Sequence, residues 1–101
     1  MKFATIDAHG HTYKIKRLTA GDQMRIRELG MSMQDDEAKA YALITYSVTE
    51  RDGVPLAPLQ NKAQLFFRAD ELDEAFAEIA AAFAELHGAE AAAAEVETAK
   101  N

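Results

Sequence analysis

The sequence predicts one small α+β domain, mainly α, in which an N-terminal β-hairpin is followed by about four helices. Apolar and polar residues alternate near the N-terminus, and helix-capping residues precede apolar runs further along. The 101 residues, 49% of them apolar, suffice for one core but not for two. We therefore expect a globular domain over residues 1–88, with the hairpin at 2–17, the helices at 19–88, and a flexible Ala- and Glu-rich tail at 89–101.

The hairpin is predicted by two segments rich in β-branched and aromatic residues. They are residues 2–6 and 12–17, and in the second segment Tyr13 and Ile15 alternate with lysines. The stretch between them contains Gly10, which can supply the positive φ of a turn. Because an isolated hairpin is barely stable in water, the helices must cover its apolar face.

The first helix is predicted by its capping residues. Thr19 and Asp22 have the spacing of a capping box, and Gly30 is placed to end the helix. Either Met24 or Ile26 would then face the core.

The second helix is predicted to begin at three consecutive acidic residues, 35–37, because negative charge is favourable at the positive end of a helix dipole. Residues 38–48 have apolar side chains at helical spacing over much of the circumference. We expect this helix to lie at the centre of the core.

The main loop is predicted after this helix. Asp52 and Gly53 form a strong turn signal, and Pro55 and Pro58 keep the following residues out of a helix interior. Residues 61–67 fit either a short helix or a buried extended segment.

A fourth helix is predicted over residues 71–87, with Asp70 as its N-cap and Gly88 at its end. Five large apolar residues recur along it at steps of four and three, which places them on one face. We call this set the C-terminal stripe: Leu72, Phe76, Ile79, Phe83 and Leu86. By default the stripe packs against the rest of the domain, and the alternative is an interface with a partner helix or a second subunit.

The charge is unevenly distributed along the chain. Residues 1–34 carry +3 and residues 35–101 carry −9, which together give the net −6. Such polarity allows identical subunits to associate head to tail. The alternative is that the charges only keep the surface well solvated. The net negative charge argues against binding to nucleic acid.

The features on which most enzymes and metal sites depend are missing from the sequence. It has no cysteine, no serine elbow and no Gly-rich phosphate loop. Asp7, His9 and His11 offer three ligands, but histidines in a turn are more often exposed than metal-bound, so we expect no metal. The longest apolar run, 79–84, is far shorter than the roughly 20 residues of a membrane span. We expect a cytoplasmic protein that is not an enzyme and has no cofactor.

The order of segments along the chain resembles a known family. A short hairpin leads into Tyr-Lys-Ile-Lys-Arg-Leu-Thr-Ala-Gly-Asp at 13–22, and an acidic helix start precedes Ala-Leu-Ile-Thr-Tyr-Ser-Val at 42–48. Asp-Gly-Val-Pro-Leu at 52–56 and an acidic-capped amphipathic helix follow. Over residues 3–87 this order is similar to that of the tail assembly chaperones of long-tailed bacteriophages and prophages.

The resemblance implies a binding protein that acts in the host cytoplasm and is absent from the mature virion. Members of the family keep the long helical tape measure protein soluble and help the tail tube protein assemble around it. The partner-binding set that this implies here combines the C-terminal stripe with the methionines, namely Leu72, Phe76, Ile79, Phe83, Leu86, Met24, Met31 and Met33. Methionine side chains adapt to many partner surfaces.

A homo-oligomer is expected from the charge polarity, with the basic third of one subunit facing the acidic part of the next. The residues expected at this contact are Arg17, Arg25, Arg27, Glu71, Glu74 and Glu78.

The last three residues suggest a second gene product. Ala99, Lys100 and Asn101 can be encoded as GCA-AAA-AAC, which contains a heptanucleotide on which ribosomes slip. In many relatives a programmed frameshift near the end of the gene adds a domain that recruits the tail tube subunit. The alternative to a chaperone is a head–tail connector or minor tail protein that stays in the virion.

Overall fold

The fold is α+β and mainly α, as the sequence predicts, but it contains one more hairpin than expected. The computed structural model describes residues 2–32 and 34–88. Its elements in chain order are β1 (Phe3–Ala8), β2 (His11–Lys16), α1 (Ala20–Glu28), α2 (Asp36–Ser47), β3 (Val48–Arg51), β4 (Val54–Pro55), α3 (Lys62–Glu71), a 3₁₀ turn (Asp73–Ala75) and α4 (Phe76–Lys100). The predicted flexible tail, 89–101, lies outside the described residues.

The predicted N-terminal hairpin is confirmed. β1 and β2 pair antiparallel, and the register places Ile6 opposite Tyr13 on the face toward the core. The turn consists of His9 and Gly10, both with positive φ (51° and 81°). Glycine accepts this conformation without a Cβ clash, which explains its place in the turn.

The predicted loop after α2 is wrong in part, because it contains a second hairpin. Val48 does not continue the helix but begins β3 and pairs with Ile15 of β2. Asp52 and Gly53 form the turn, again with positive φ (55° and 78°), and β4 follows. The sheet order is β1-β2-β3-β4, so β3 satisfies the backbone groups that β2 would otherwise leave unpaired.

The predicted capping box of the first helix and the predicted acidic start of the second are confirmed. The Thr19 side chain accepts from the Asp22 N–H while the Asp22 side chain accepts from the Thr19 N–H, which forms the capping box. Gly30 follows the end of α1 with φ 92°. The Asp35 side chain accepts from the N–H groups of the first turn of α2.

The predicted start and end of the fourth helix are wrong. Residues 61–67 fall in the longer helix α3, for which Asn61 is the N-cap, and Asp70 lies in its last turn. A 3₁₀ turn then separates α3 from α4. Gly88 is itself helical and therefore does not end α4.

Two hydrophobic clusters build the core. The first lies between the sheet and α4 and centres on the fully buried Ile15 and Ile79. The second lies among α1, α2 and α3, where Ile26, Ala42 and Leu65 are buried together.

His87 ties α4 to the chain between β2 and α1. The Leu18 N–H donates to His87 Nε2 (2.9 Å), and His87 Nδ1 donates to the carbonyl oxygen of Phe83 (2.8 Å). The imidazole also stacks on the Phe83 ring, with the ring centroids 4.0 Å apart. Both ring nitrogens are therefore occupied.

A buried carboxylate connects the sheet to α1. Asp22 Oδ1 accepts from Lys16 Nζ and Arg25 Nη1 (both 3.0 Å), and Oδ2 accepts from the Thr19 N–H (2.9 Å). Burial raises the pKa of Asp22, but the bonds from Thr19 and Lys16 outweigh it and leave the pKa below its ordinary value.

We expect Asp22→Asn to lower the free energy of unfolding at pH 7 by about 2 kcal/mol. The NH₂ group of asparagine would face the N–H donors of Lys16, Arg25 or Thr19 in place of a carboxylate oxygen. Because the pKa of Asp22 is lower in the folded state, its carboxylate stabilises the fold at pH values above the unfolded-state pKa of about 4. This stabilisation is lost as the pH falls through the folded-state pKa. Urea unfolding at pH 7, 4 and 3 should show a smaller acid loss in Asp22→Asn than in the parent. Asp70→Asn, an exposed control, should behave like the parent; an equal acid loss in both variants would contradict this role.

Candidate helix-binding groove

An apolar groove opens between α2 and α3 on the second core cluster. Its volume is about 210 Å³. We call it the α2/α3 groove; its lining residues are Met31, Ala38, Tyr41, Ala42, Thr45, Leu65, Phe66 and Ala69. Pockets for drug-sized ligands measure roughly 300–1,000 Å³, so the groove suits the side chains of a docked segment better than a cofactor.

Two half-exposed aromatic rings flank the α2/α3 groove. Tyr41 is 51% exposed and Phe66 is 50% exposed. The Tyr41 ring also contacts the ring of Phe76, with centroids 5.2 Å apart, so the first turn of α4 supports one wall. Aromatic surface next to an apolar groove is typical of a protein–protein contact.

One buried hydroxyl in the groove has no hydrogen-bond partner. Thr45 is 1% exposed, and its Oγ1 is the single buried side-chain N or O atom of the described residues that lacks a partner. By contrast, the Ser47 hydroxyl on the same helix donates to the carbonyl oxygen of Ile44. Burying an unpaired hydroxyl costs free energy, so this position is not optimised for the isolated domain.

The structure places the C-terminal stripe mainly in the core. Leu72 and Ile79 are fully buried, and Phe76, Phe83 and Leu86 pack partly buried against the sheet cluster. The default interpretation of the stripe is therefore correct for Leu72 and Ile79, which offer no surface to a partner. Phe76 touches the wall of the groove, through Tyr41.

The predicted methionines are not brought together. Met31 lines the α2/α3 groove, whereas Met24 is 64% exposed on α1 and does not line it. Ile26 takes the core position for which Met24 was the alternative. Met33 lies outside the described residues.

Some of the predicted oligomer contacts are occupied within the chain. Arg25 binds Asp22, and Glu78 Oε1 lies 3.1 Å from His9 Nε2. Arg27, Glu71 and Glu74 are exposed, and Arg17 is partly buried.

The histidine turn is committed to other contacts. His9 reaches Glu78, His11 Nδ1 lies 2.7 Å from Asp52 Oδ2, and Asp7 accepts from Thr12 Oγ1 (2.6 Å). Within residues 2–32 and 34–88, no three histidine or acidic side chains converge as a metal site would require. No helix in this part of the chain has the length and apolarity of a membrane span.

Sequence reasoning did not find the α2/α3 groove. Tyr41, Ala42 and Thr45 fit the helical spacing of a core-facing helix, and this pattern does not reveal that one side of α2 remains open. The signal that was available is Phe66 followed by Phe67, since adjacent helical residues diverge by about 100° and cannot both be buried on one face.

No family model, curated protein or solved structure matches this chain.

We expect Thr45→Val to raise the free energy of unfolding by about 1 kcal/mol, because valine has a similar shape and removes the unpaired hydroxyl. Ser47→Ala is the matched control and should lower it by a similar amount, since its hydroxyl is bonded. Urea titrations of both variants provide the measurement. A loss of stability in Thr45→Val as large as that in Ser47→Ala would show that the Thr45 hydroxyl has a partner in solution.

Proposed function

We propose that this protein is a tail assembly chaperone of a long-tailed bacteriophage, which binds helical segments of the tape measure protein in its α2/α3 groove. The single observation that carries this proposal is the groove, an apolar surface bordered by two half-exposed aromatic rings. The resemblance of the segments over residues 3–87 supplies the biological context.

The groove has the properties that recognition of an amphipathic helix needs. Such helices insert apolar side chains, spaced three or four residues apart, between the helices of a receptor. Met31 lies at one wall, and its flexible side chain can adjust to different inserted residues. A chaperone of a long chain must accept many related segments, which an adaptable apolar groove allows.

Binding alone is sufficient for this function. The lining side chains carry two hydroxyls, those of Tyr41 and Thr45, and no charged group. We therefore propose a non-catalytic protein that shields apolar helix faces in the host cytoplasm and leaves before the virion is complete. In this proposal the tail tube protein is reached through a longer frameshift product.

The test is co-expression with the long helical protein encoded nearby in the same genome. We expect that protein to be soluble with the parent chain and insoluble without it. Phe66→Gln, which removes one aromatic wall, should reduce the soluble fraction severalfold, as expected for an aromatic interface residue. Phe67→Gln is the matched control, because Phe67 is 67% exposed on the same helix but does not line the groove.

Two results would contradict the proposal. Equal solubilisation by Phe66→Gln and Phe67→Gln would show that the groove is not the binding surface. Detection of this chain in purified virions would instead favour the connector or minor tail protein, which remains in the particle.

A further inference from the structure

A buried arginine on α3 has no acidic partner. Arg68 is 9% exposed, and its Nη2 donates to the carbonyl oxygen of Ala57 (2.8 Å). Among residues 2–32 and 34–88, no carboxylate lies within ion-pair distance of its guanidinium. A guanidinium has five N–H donors and stays protonated in proteins, so a positive charge is buried here without an ion pair.

The charges around Arg68 leave the site positive. Burial lowers the pKa of Arg68, the nearby charge of Glu71 raises it, and the charge of Arg51 lowers it again. Two cations and one anion therefore influence the site, and Arg51 is itself partly buried without an ion pair to a described residue. A buried cation without a contacting carboxylate is costly, and a carboxylate bound to the guanidinium would lower this cost.

Arg68 lines a pocket with apolar walls. The pocket has a volume of about 530 Å³. Its apolar walls include Ala57, Pro58, Ala63 and Phe67, and Glu71 also lines it. We call it the Arg68 pocket. A carboxylate on a small apolar chain fits this combination, because carboxylates bind guanidinium groups in a bidentate geometry and the walls accept methyl groups.

The sequence of the chain itself contains such a segment. Residues 89–97 read Ala-Glu-Ala-Ala-Ala-Ala-Glu-Val-Glu, with three carboxylates and otherwise small apolar side chains. Alanines let a backbone approach the pocket walls closely. Acidic residues in the folded part cannot approach a pocket in this way, because their neighbours hold them in place. Asp73 and Glu74, for example, lie between the buried Leu72 and Ala75.

We propose that the Arg68 pocket binds a glutamate side chain from residues 89–97 of a second copy of the chain. A second copy is favoured because Gly88 is still helical, so the described part of α4 ends without a turn back toward α3. This inference does not depend on the proposed function, since it concerns another pocket and another partner.

The test is sedimentation equilibrium of the full chain. The tail variant is Glu90→Gln/Glu95→Gln/Glu97→Gln and the pocket variant is Arg68→Gln. The control is Glu28→Gln/Glu37→Gln/Glu85→Gln, which changes three exposed glutamates outside the expected subunit contact. We expect the parent to self-associate and both the tail and pocket variants to raise the Kd at least about tenfold, as for the loss of a charge-assisted hydrogen bond.

The sign of the effect separates a specific contact from general electrostatics. Both triple variants reduce the net charge from −6 to −3, which lowers repulsion between subunits and should strengthen any non-specific association. The control should therefore bind as tightly as the parent or more tightly. Combining the tail and pocket changes should weaken association no more than either change alone.

Several outcomes would overturn the proposal. They are a parent that stays monomeric at millimolar concentration, a tail variant with an unchanged Kd, and a control as weakened as the tail variant. The tail variant alone decides the question if Arg68→Gln does not fold, because its substitutions lie beyond the described core. A monomeric parent that is destabilised by the tail substitutions would place the contact within one chain instead.

Discussion

The inner face of the sheet must be covered, and the rest of the structure is arranged to meet this constraint. A hairpin alone does not bury enough surface to be stable, so α4 lies across β1 and β2 with Ile79 against Ile15. This packing uses the most regular apolar face of the sequence. The open apolar groove is therefore found elsewhere, between the helices α2 and α3, which touch the sheet less extensively.

Features that depend on neighbouring residues could be predicted from the sequence, whereas contacts between distant segments could not. The first hairpin and the cap at Thr19 depend on neighbouring residues, and both were predicted. Val48 fits the helical spacing of α2 and is equally suited to a strand. It forms a strand because the open edge of β2 is available for pairing. Asp70 is a good N-cap by residue type, but Asn61 already starts a helix that continues through it. The groove was missed for the same reason, since it exists only once α2 and α3 lie side by side.

The two core clusters differ in how completely they are closed. The sheet cluster buries seven residues, while the helical cluster buries three and relies on partly exposed neighbours such as Met31 and Tyr46. The unpaired hydroxyl of Thr45 lies in the less complete cluster. A less completely packed cluster needs less free energy to open locally, and binding surfaces are often found in such regions. The sheet side thus provides rigidity, and the helical side provides the adaptable surface.

The bond between His87 and the Leu18 N–H also fixes the last described turn of α4. It is the last described hydrogen bond from α4 to another element, and it joins this turn to the connection between β2 and α1. Lys16 and Arg17 lie directly before Leu18. A single imidazole therefore anchors the last described turn of the acidic C-terminal part beside the basic N-terminal third of the chain.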